Sequence, residues 1–180
     1  MRPSQAGKLF EGSMLEELRA TVALTGKGYV ASFNDRITWT GRRIIKHPTP
    51  TDIIFIHPIV NLLIECKAVV MDRPNKKFAF TQVKAHQRED LERFTLAGSK
   101  NLGVVAINFH YPRQNGREVL IVPYWALELR PRSVGPDVNP EDYRGLWGPP
   151  IRSATGLTTD MLRQLRNVRR ELGRDGGHTM

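Results

Sequence analysis

Two carboxylates and one lysine stand in the first half of the chain at a spacing that suits chemistry on a phosphate. Successive side chains of a strand point to opposite faces, so Glu65 and Lys67 share one face, roughly 6.6 Å apart along the strand. If the preceding hairpin turns at Pro58-Ile59, Asp52 lies directly across from Glu65. Charges inside a sheet are costly unless they are paired or coordinated. The trio therefore predicts two carboxylates that hold a hard cation such as Mg²⁺, with Lys67 placed to orient a water or to neutralise charge on a phosphate.

The pairing of the two strands decides whether the carboxylates meet. A slip of one residue would carry Asp52 to the other face of the sheet, and the sequence leaves this register open. Cys66 points away from Glu65, together with Leu62 and Ile64. We therefore expect Cys66 to be a small buried residue rather than a nucleophile.

Two predicted helices bring further polar groups toward the same place. The pattern of residues 8–25 predicts a helix whose apolar face is formed by Leu15, Leu18 and Val22, and Glu11 falls on that face. Residues 81–97 predict a second helix, and Gln87 falls on its apolar stripe. A carboxylate and an amide on faces that must pack against the sheet indicate two further members of the site.

The remaining pattern predicts the elements that position these groups. Runs rich in β-branched and aromatic residues predict strands, and stretches with Gly and Pro predict turns. The predicted strands cover residues 29–33, 37–45, 52–56, 62–68, 102–109 and 118–122, and a third helix covers residues 158–172. We expect no regular structure in the Pro- and Gly-rich residues 131–150. The order of elements predicts an α/β domain, with one mixed sheet and helices packed on it.

The composition excludes several classes of protein. The chain has 180 residues, and its 40% of hydrophobic residues is ordinary for a globular protein. A single cysteine excludes a disulfide scaffold and a thiolate zinc site, and it favours a reducing, cytoplasmic compartment. We expect no signal peptide, because residues 1–8 contain no apolar run, and no membrane span, because His57, Pro58 and Asn61 interrupt the most apolar stretch. The 27 Lys and Arg against 18 Asp and Glu give a net charge of +9, which predicts a polyanionic partner.

Three groups of residues are the predicted contacts to that polyanion. One is a basic arm at residues 36–48 that contains no acid, the second lies beside the second helix, and the third is a face of the last helix. The predicted contact residues are Arg36, Trp39, Arg42, Arg43, Lys46, Lys76, Lys77, Lys84, Arg163, Arg166 and Arg170. For the lysines and the last helix, an ordinary solvated surface is the alternative.

The spacing of Asp52, Glu65 and Lys67 resembles a known nuclease signature. Asp52, twelve residues and then Glu65-Cys66-Lys67 resembles the PD-(D/E)XK motif, and Glu-Cys-Lys is similar to the archaeal Hjc pattern. Residues 7–11, Gly-Lys-Leu-Phe-Glu, are similar to the G-x-x-x-E helix of Holliday-junction resolvases.

Other residues resemble the RecU resolvases of Gram-positive bacteria and their phages. These are residues 46–50, Phe80 and the pair His86-Gln87. The likeness extends over about residues 7–125. The long stalk that RecU proteins carry before their catalytic aspartate is absent here, because Asp52 follows the Pro-Thr-Pro element after one threonine.

The resemblance implies a fold, an activity and a set of residues. The fold would be a restriction-endonuclease-like core. The activity would be that of a homodimeric endodeoxyribonuclease that depends on Mg²⁺, with Mn²⁺ able to substitute, and resolves four-way (Holliday) DNA junctions by paired symmetric nicks. The implied active-site residues are Glu11, Asp52, Glu65, Lys67 and Gln87. The metal ligands would be Asp52, Glu65, the backbone carbonyl of Cys66 and, through a water, Glu11.

The domain organisation and the partners follow from this interpretation. Residues 1–130 would form the nuclease core, residues 131–157 a Pro/Gly-rich surface segment, and residues 158–180 a basic C-terminal helix and tail. The expected partners are branched DNA and a second copy of the chain, with no membrane. The expected location is the cytoplasm of a bacterial cell, with host and phage origin both open. Two alternatives remain: a nuclease of the same kind that acts on duplex or flap DNA, and a non-catalytic DNA-binding protein with a nuclease-like fold.

Overall fold

A computed structural model describes residues 3–33, 36–39, 44–47, 51–73, 76–111, 116–127, 133–134, 151–153 and 159–175. The helices are α1 (Pro3–Thr25), α2 (Ala85–Leu96) and α3 (Thr159–Asp175). The strands are β1 (Tyr29–Ser32), β2 (Arg36–Trp39), β3 (Ile44–His47), β4 (Ile53–Ile56), β5 (Asn61–Val70), β6 (Phe78–Ala79), β7 (Asn101–Tyr111), β8 (Gly116–Pro123), β9 (Ser133–Val134) and β10 (Ile151–Ser153). None of the helices in these ranges combines the length and the apolar character needed to cross a bilayer.

The centre of the fold is a mixed sheet of six strands in the order β1-β4-β5-β7-β8-β10. β5 and β7 run parallel, and the other neighbours are antiparallel. A parallel pair needs a crossover connection, and α2 supplies it. α1 and α3 contribute to one buried apolar cluster and α2 to another, so the helices cover opposite faces of the sheet. The predicted α/β fold, with one mixed sheet flanked by helices, is confirmed.

The β4–β5 hairpin has the register that brings the two carboxylates together. Ile53 pairs with Ile64, and Phe55 pairs with Leu62. Asp52 stands just before this ladder, and its N–H donates to the carbonyl of Ile64, the partner of Ile53, at 3.2 Å. The predicted alignment of these strands is therefore confirmed.

The buried stripe of α1 has four-residue spacing. Ala6, Phe10, Met14 and Leu18 are all buried, which is the arrangement expected of a helix that lies along a sheet. Glu11 is half-buried beside this stripe. Of the predicted apolar face, Leu18 is buried but Leu15 and Val22 are only half-buried, because the stripe that faces the sheet runs through Phe10 and Met14.

The contact between α2 and β7 is unusually close. A Cβ atom at Gly103 would lie 2.5 Å from the Leu91 carbonyl oxygen and 2.8 Å from the Leu91 Cβ. Beside this contact, the Thr95 hydroxyl accepts the Gly103 N–H at 2.7 Å and donates to the Leu91 carbonyl at 2.8 Å. Glycine is required at position 103 because the backbones of α2 and β7 touch there.

An arginine of α3 binds the loop between α2 and β7. The Arg169 guanidinium donates to the carbonyls of Asn101 at 2.8 Å, Thr95 at 3.0 Å and Gly98 at 3.2 Å. These carbonyls include groups at the C-terminal end of α2, where a cation is favourable. Arg169 therefore fixes α3 to the end of α2.

Three boundaries differ from the sequence prediction. α1 begins at Pro3 rather than near residue 8, since proline is well tolerated in a first helical turn. The predicted start of α2 near residue 81 is wrong: Phe80–Gln82 form a 3-10 turn, and α2 begins at Ala85. The prediction of no regular structure over residues 131–150 is also wrong near its start, where β9 pairs with β6. Just after this stretch, β10 extends the main sheet beside β8.

The basic arm contains a two-stranded hairpin. β2 and β3 pair with Arg36 opposite His47 and Trp39 opposite Ile44. Arg42 and Arg43 lie outside the described residues, as do the side chains of Arg36, Trp39 and Lys46. Their predicted contact with DNA stays a prediction.

Candidate active site

A cleft opens where β4 begins and β5 continues past it. Its volume is about 310 Å³. The sheet contributes Asp52, Glu65, Cys66 and Lys67 to its lining. The predicted trio therefore meets in one solvent-accessible place.

Two helices from opposite faces of the sheet supply the remaining lining of this cleft. α1 contributes Gly7, Lys8 and Glu11, while Lys84, His86 and Gln87 come from the start of α2. The cleft thus brings together all five residues predicted to be catalytic, which are Glu11, Asp52, Glu65, Lys67 and Gln87.

Glu65 is a buried carboxylate with one engaged and one unengaged oxygen. Its relative exposure is 2%. Oε1 lies 2.6 Å from the Lys67 Nζ and accepts the Gln87 Nε2 at 2.7 Å. Oε2 is fully buried and has no hydrogen-bond partner. A buried charged oxygen without a partner is costly in free energy and marks a place where a ligand is expected.

Gln87 is held in its orientation from both ends. Its Oε1 accepts the Lys84 backbone N–H at 3.0 Å, and the Lys67 Nζ lies 3.4 Å from the same oxygen. Because Oε1 accepts these donors, the amide nitrogen is directed at Glu65. The first turn of α2 therefore aligns Gln87, which in turn aligns Glu65.

Asp52 is oriented by the backbone of β5. Its Oδ2 accepts the Cys66 N–H at 2.7 Å, in the position that a backbone carbonyl of β4 would take if that strand were longer. Ile64 and Cys66 direct their peptide groups to the same side of β5, so the Cys66 carbonyl also faces this side. Two carboxylates and one carbonyl thus come from neighbouring backbone positions.

The electrostatics of the cleft set the pKa of Glu65. Burial is the largest influence, and with the negative charge of Asp52 it raises the pKa of Glu65 to about 7, against the lowering effect of Lys67 and Gln87. Burial, followed by the charge of Asp52, also raises the pKa of the Cys66 thiol. Cys66 therefore remains a neutral thiol, as expected of a structural cysteine.

The donor set fits a hard divalent cation. Glu65 offers a buried oxygen without a partner, and Asp52 brings a second carboxylate beside it. Among the described residues, no group of three or more His, Cys, Asp and Glu side chains could hold a metal ion. Mg²⁺ does not need such a group, since it commonly binds through one or two carboxylates and keeps several waters.

Comparison with known proteins assigns this chain to no family. The chain matches no protein-family model and no curated protein. The geometry of the cleft therefore carries the functional argument that follows.

The predicted contacts to a polyanion beside α2 differ in their surroundings. Lys84 lines the cleft, and Lys77 is exposed. Lys76 is engaged locally, because its Nζ lies 2.8 Å from the Val70 carbonyl oxygen and 3.0 Å from an Asp72 carboxylate oxygen. Lys76 is therefore the least available of the three lysines.

The predicted basic face of α3 points outward. Met161, Leu162 and Leu165 are buried, whereas Arg163 and Arg170 are exposed and Arg166 is half-buried. Arg163 pairs with Asp160 at 2.9 Å, an exposed ion pair of small energetic value.

Three residues that line the cleft were not predicted as site residues: Gly7, Lys8 and His86. Lys8 precedes Glu11 by three residues and therefore lies on the same side of α1, a spacing that could have indicated it. His86 stands beside Gln87 in the first turn of α2, and it carried no signal of its own because no second histidine stands at metal-ligand spacing.

We expect Glu65→Gln to stabilise the metal-free protein at alkaline pH. An acid whose pKa is raised on folding holds its proton in the folded state while the unfolded state has lost it. The free energy of unfolding therefore falls as pH rises from about 4.5 to about 7 and then levels off. The glutamine variant lacks this loss, which is on the order of 3 kcal/mol.

Urea unfolding in EDTA at pH 5 and pH 8 measures this effect. The difference in free energy of unfolding between Glu65→Gln and the wild type should be larger at pH 8. Glu89→Gln, which changes an exposed acid of α2, should show no such pH dependence. An equal difference at both pH values for Glu65→Gln would contradict the prediction.

Proposed function

We propose that this chain is a Mg²⁺-dependent endonuclease that cuts DNA, with a restriction-endonuclease-like core. The observation that carries the proposal is the arrangement around the two carboxylate oxygens of Glu65. One oxygen of this buried carboxylate is fixed by Lys67 and Gln87, and the other has no partner beside the carboxylate of Asp52. A carboxylate oxygen without a protein partner, next to a second carboxylate, is what a cation site requires.

Four groups would hold the metal. Glu65 would bind through Oε2 and Asp52 through its carboxylate, with the Cys66 carbonyl as a third oxygen ligand. Glu11 lines the same cleft from α1 and would act through a water. When bound, Mg²⁺ would polarise the phosphodiester and make a bound water a better nucleophile.

Lys67 is the residue placed to act on the reacting groups. Glu65 and Gln87 take two of its three N–H donors, and its side chain is 20% exposed at the cleft. The third donor can orient the attacking water or stabilise charge that develops on the phosphate. Gln87 is a positioning residue, because its amide donates to Glu65 and accepts from Lys67 and so holds both side chains in place.

We propose four-way DNA junctions as the substrate. The net charge of +9 and the outward basic face of α3 favour a polyanion, and the motifs of residues 7–11, 46–50 and 86–87 resemble junction resolvases. Two opposed strands must be cut, so the active form in this proposal is a homodimer whose twofold axis matches that of the junction. Its place of action would be the bacterial cytoplasm.

A panel of substrates tests the proposal. The protein would be incubated with Mg²⁺ or with EDTA and end-labelled four-way junction, flap, duplex and single-stranded DNA. We expect paired symmetric nicks confined to the junction, and only with the metal. Cleavage of duplex or flap DNA instead would leave a nuclease with another substrate. Salt-dependent binding without a metal-dependent product would show a non-catalytic DNA-binding protein.

A further inference from the structure

Three basic side chains line the cleft in addition to Lys67. The cleft carboxylate Glu65 is paired with Lys67. In the part of the chain described by the structure, by contrast, no hydrogen bond or ion pair engages the ammonium groups of Lys8 and Lys84 or the imidazole of His86. Hydrogen-bond donors that surround a cleft and lack protein acceptors suit a ligand rich in anionic oxygens.

These three side chains come from two different walls of the cleft, one formed by α1 and the other by the start of α2. Lys8 belongs to α1, and Lys84 and His86 belong to the start of α2. Because α1 and α2 pack on opposite faces of the sheet, the metal-binding carboxylates of Asp52 and Glu65 lie between the two walls. A lone phosphate at the carboxylates would leave at least one wall without a ligand. A DNA strand that crosses the cleft would instead supply a phosphate to each of the two walls.

We propose that the cleft binds the phosphates on both sides of the scissile phosphate, with Lys8 contacting one neighbour and Lys84 with His86 contacting the other. This inference rests on the proposed nuclease function and narrows its substrate to an internal phosphodiester of a continuous strand. A terminal phosphodiester, which has a phosphate on one side only, would be a poor substrate.

The first test measures DNA binding without cleavage. The affinity for a four-way junction is measured in EDTA between 50 and 200 mM NaCl for the wild type and for Lys8→Ala, Lys84→Ala and Lys100→Ala. Each phosphate contact adds about 0.9 to the slope of log affinity against log salt. Lys8→Ala and Lys84→Ala should each lower that slope by about 0.9. Lys100→Ala, which changes an exposed lysine outside the cleft, should leave it unchanged.

The second test assigns each wall to one phosphate. After the cut is mapped, junctions are made with a neutral methylphosphonate at the phosphate before or after it. Each substitution should slow wild-type cleavage about tenfold, the scale of a lost charged hydrogen bond. Lys8→Ala should be insensitive to one of the two substitutions. Lys84→Ala and His86→Ala should each be less sensitive than the wild type to the other, because each leaves one contact to that phosphate in place.

The outcomes separate this inference from the function on which it rests. If Lys8→Ala and Lys84→Ala match Lys100→Ala in salt slope, or if every variant keeps the wild-type sensitivity to both neutral phosphates, the inference is wrong even when Mg²⁺-dependent cleavage is observed. If the salt slopes change as expected but the wild type does not cleave, the phosphate contacts are supported and the proposed nuclease activity is wrong. Thermal melting confirms that each variant is folded.

Discussion

Asp52→Asn and Glu65→Gln should each lower Mg²⁺-dependent cleavage of a four-way junction by at least about 10³-fold while leaving its binding intact. Each change replaces a charged ligand by a neutral amide of the same shape. The cation site is lost, but no basic group that contacts DNA is removed. Affinity for the junction in EDTA should stay equal or rise slightly, because a negative charge near the phosphates has been removed.

Single-turnover cleavage and junction binding measure the two parts of this prediction. Glu89→Gln is the matched control, since it makes the same chemical change at an exposed position of α2. It should cleave at the wild-type rate. Wild-type cleavage by either Asp52→Asn or Glu65→Gln would exclude the proposed site, and a parallel loss of binding would show that the carboxylates act in folding rather than in catalysis.

Gly103→Ala should cost about 3 kcal/mol in free energy of unfolding, near the upper end for overpacking. The added Cβ would lie 2.5 Å from the Leu91 carbonyl oxygen, and backbone cannot rotate aside as a side chain can. For a chain of this size, roughly 2–4 °C of melting temperature is lost for each kcal/mol. Thermal unfolding should therefore occur about 6–12 °C lower than in the wild type.

Gly12→Ala is the matched control for this change. A Cβ at Gly12 meets nothing within 4 Å, and the residue is exposed in the middle of α1. Alanine is preferred to glycine in a helix interior, so this variant should be more stable by about 0.5–1 kcal/mol. Equal melting temperatures for Gly103→Ala and the wild type would show that α2 and β7 can separate at no cost.

The parts of the site that lie on regular strands were predictable from the sequence. Alternation along β5 places Glu65 and Lys67 on the face opposite Cys66, and the position of the turn near Pro58 sets the pairing of Ile53 with Ile64, which brings Asp52 close to Glu65. Helical spacing placed Gln87 correctly as well. In each case, a periodic apolar pattern determines which way the polar residue points.

Residues without such a pattern were not predictable. The helix predicted from residue 81 starts later, because Phe80 and Val83 are buried in a tight turn before it. The side chain of Gln87 caps α2 from inside the helix by accepting the Lys84 N–H. β10 has only three residues, and it forms a strand because its backbone pairs with that of β8. Periodicity cannot be read from a segment that short.

The attachment of α2 at one end has a mechanical consequence for the other. Its C-terminal half is bonded to β7 and to Arg169 around Thr95, whereas Gln87 lies eight residues away in the cleft. Eight residues of helix measure about 12 Å, so a tilt of about 5° around Thr95 would move Gln87 by about 1 Å. Displacements of that size can slow an enzyme by about 10²-fold. A ligand or substitution that shifts the loop at residues 97–100 could therefore tune the reaction from the far end of the helix, without entering the cleft.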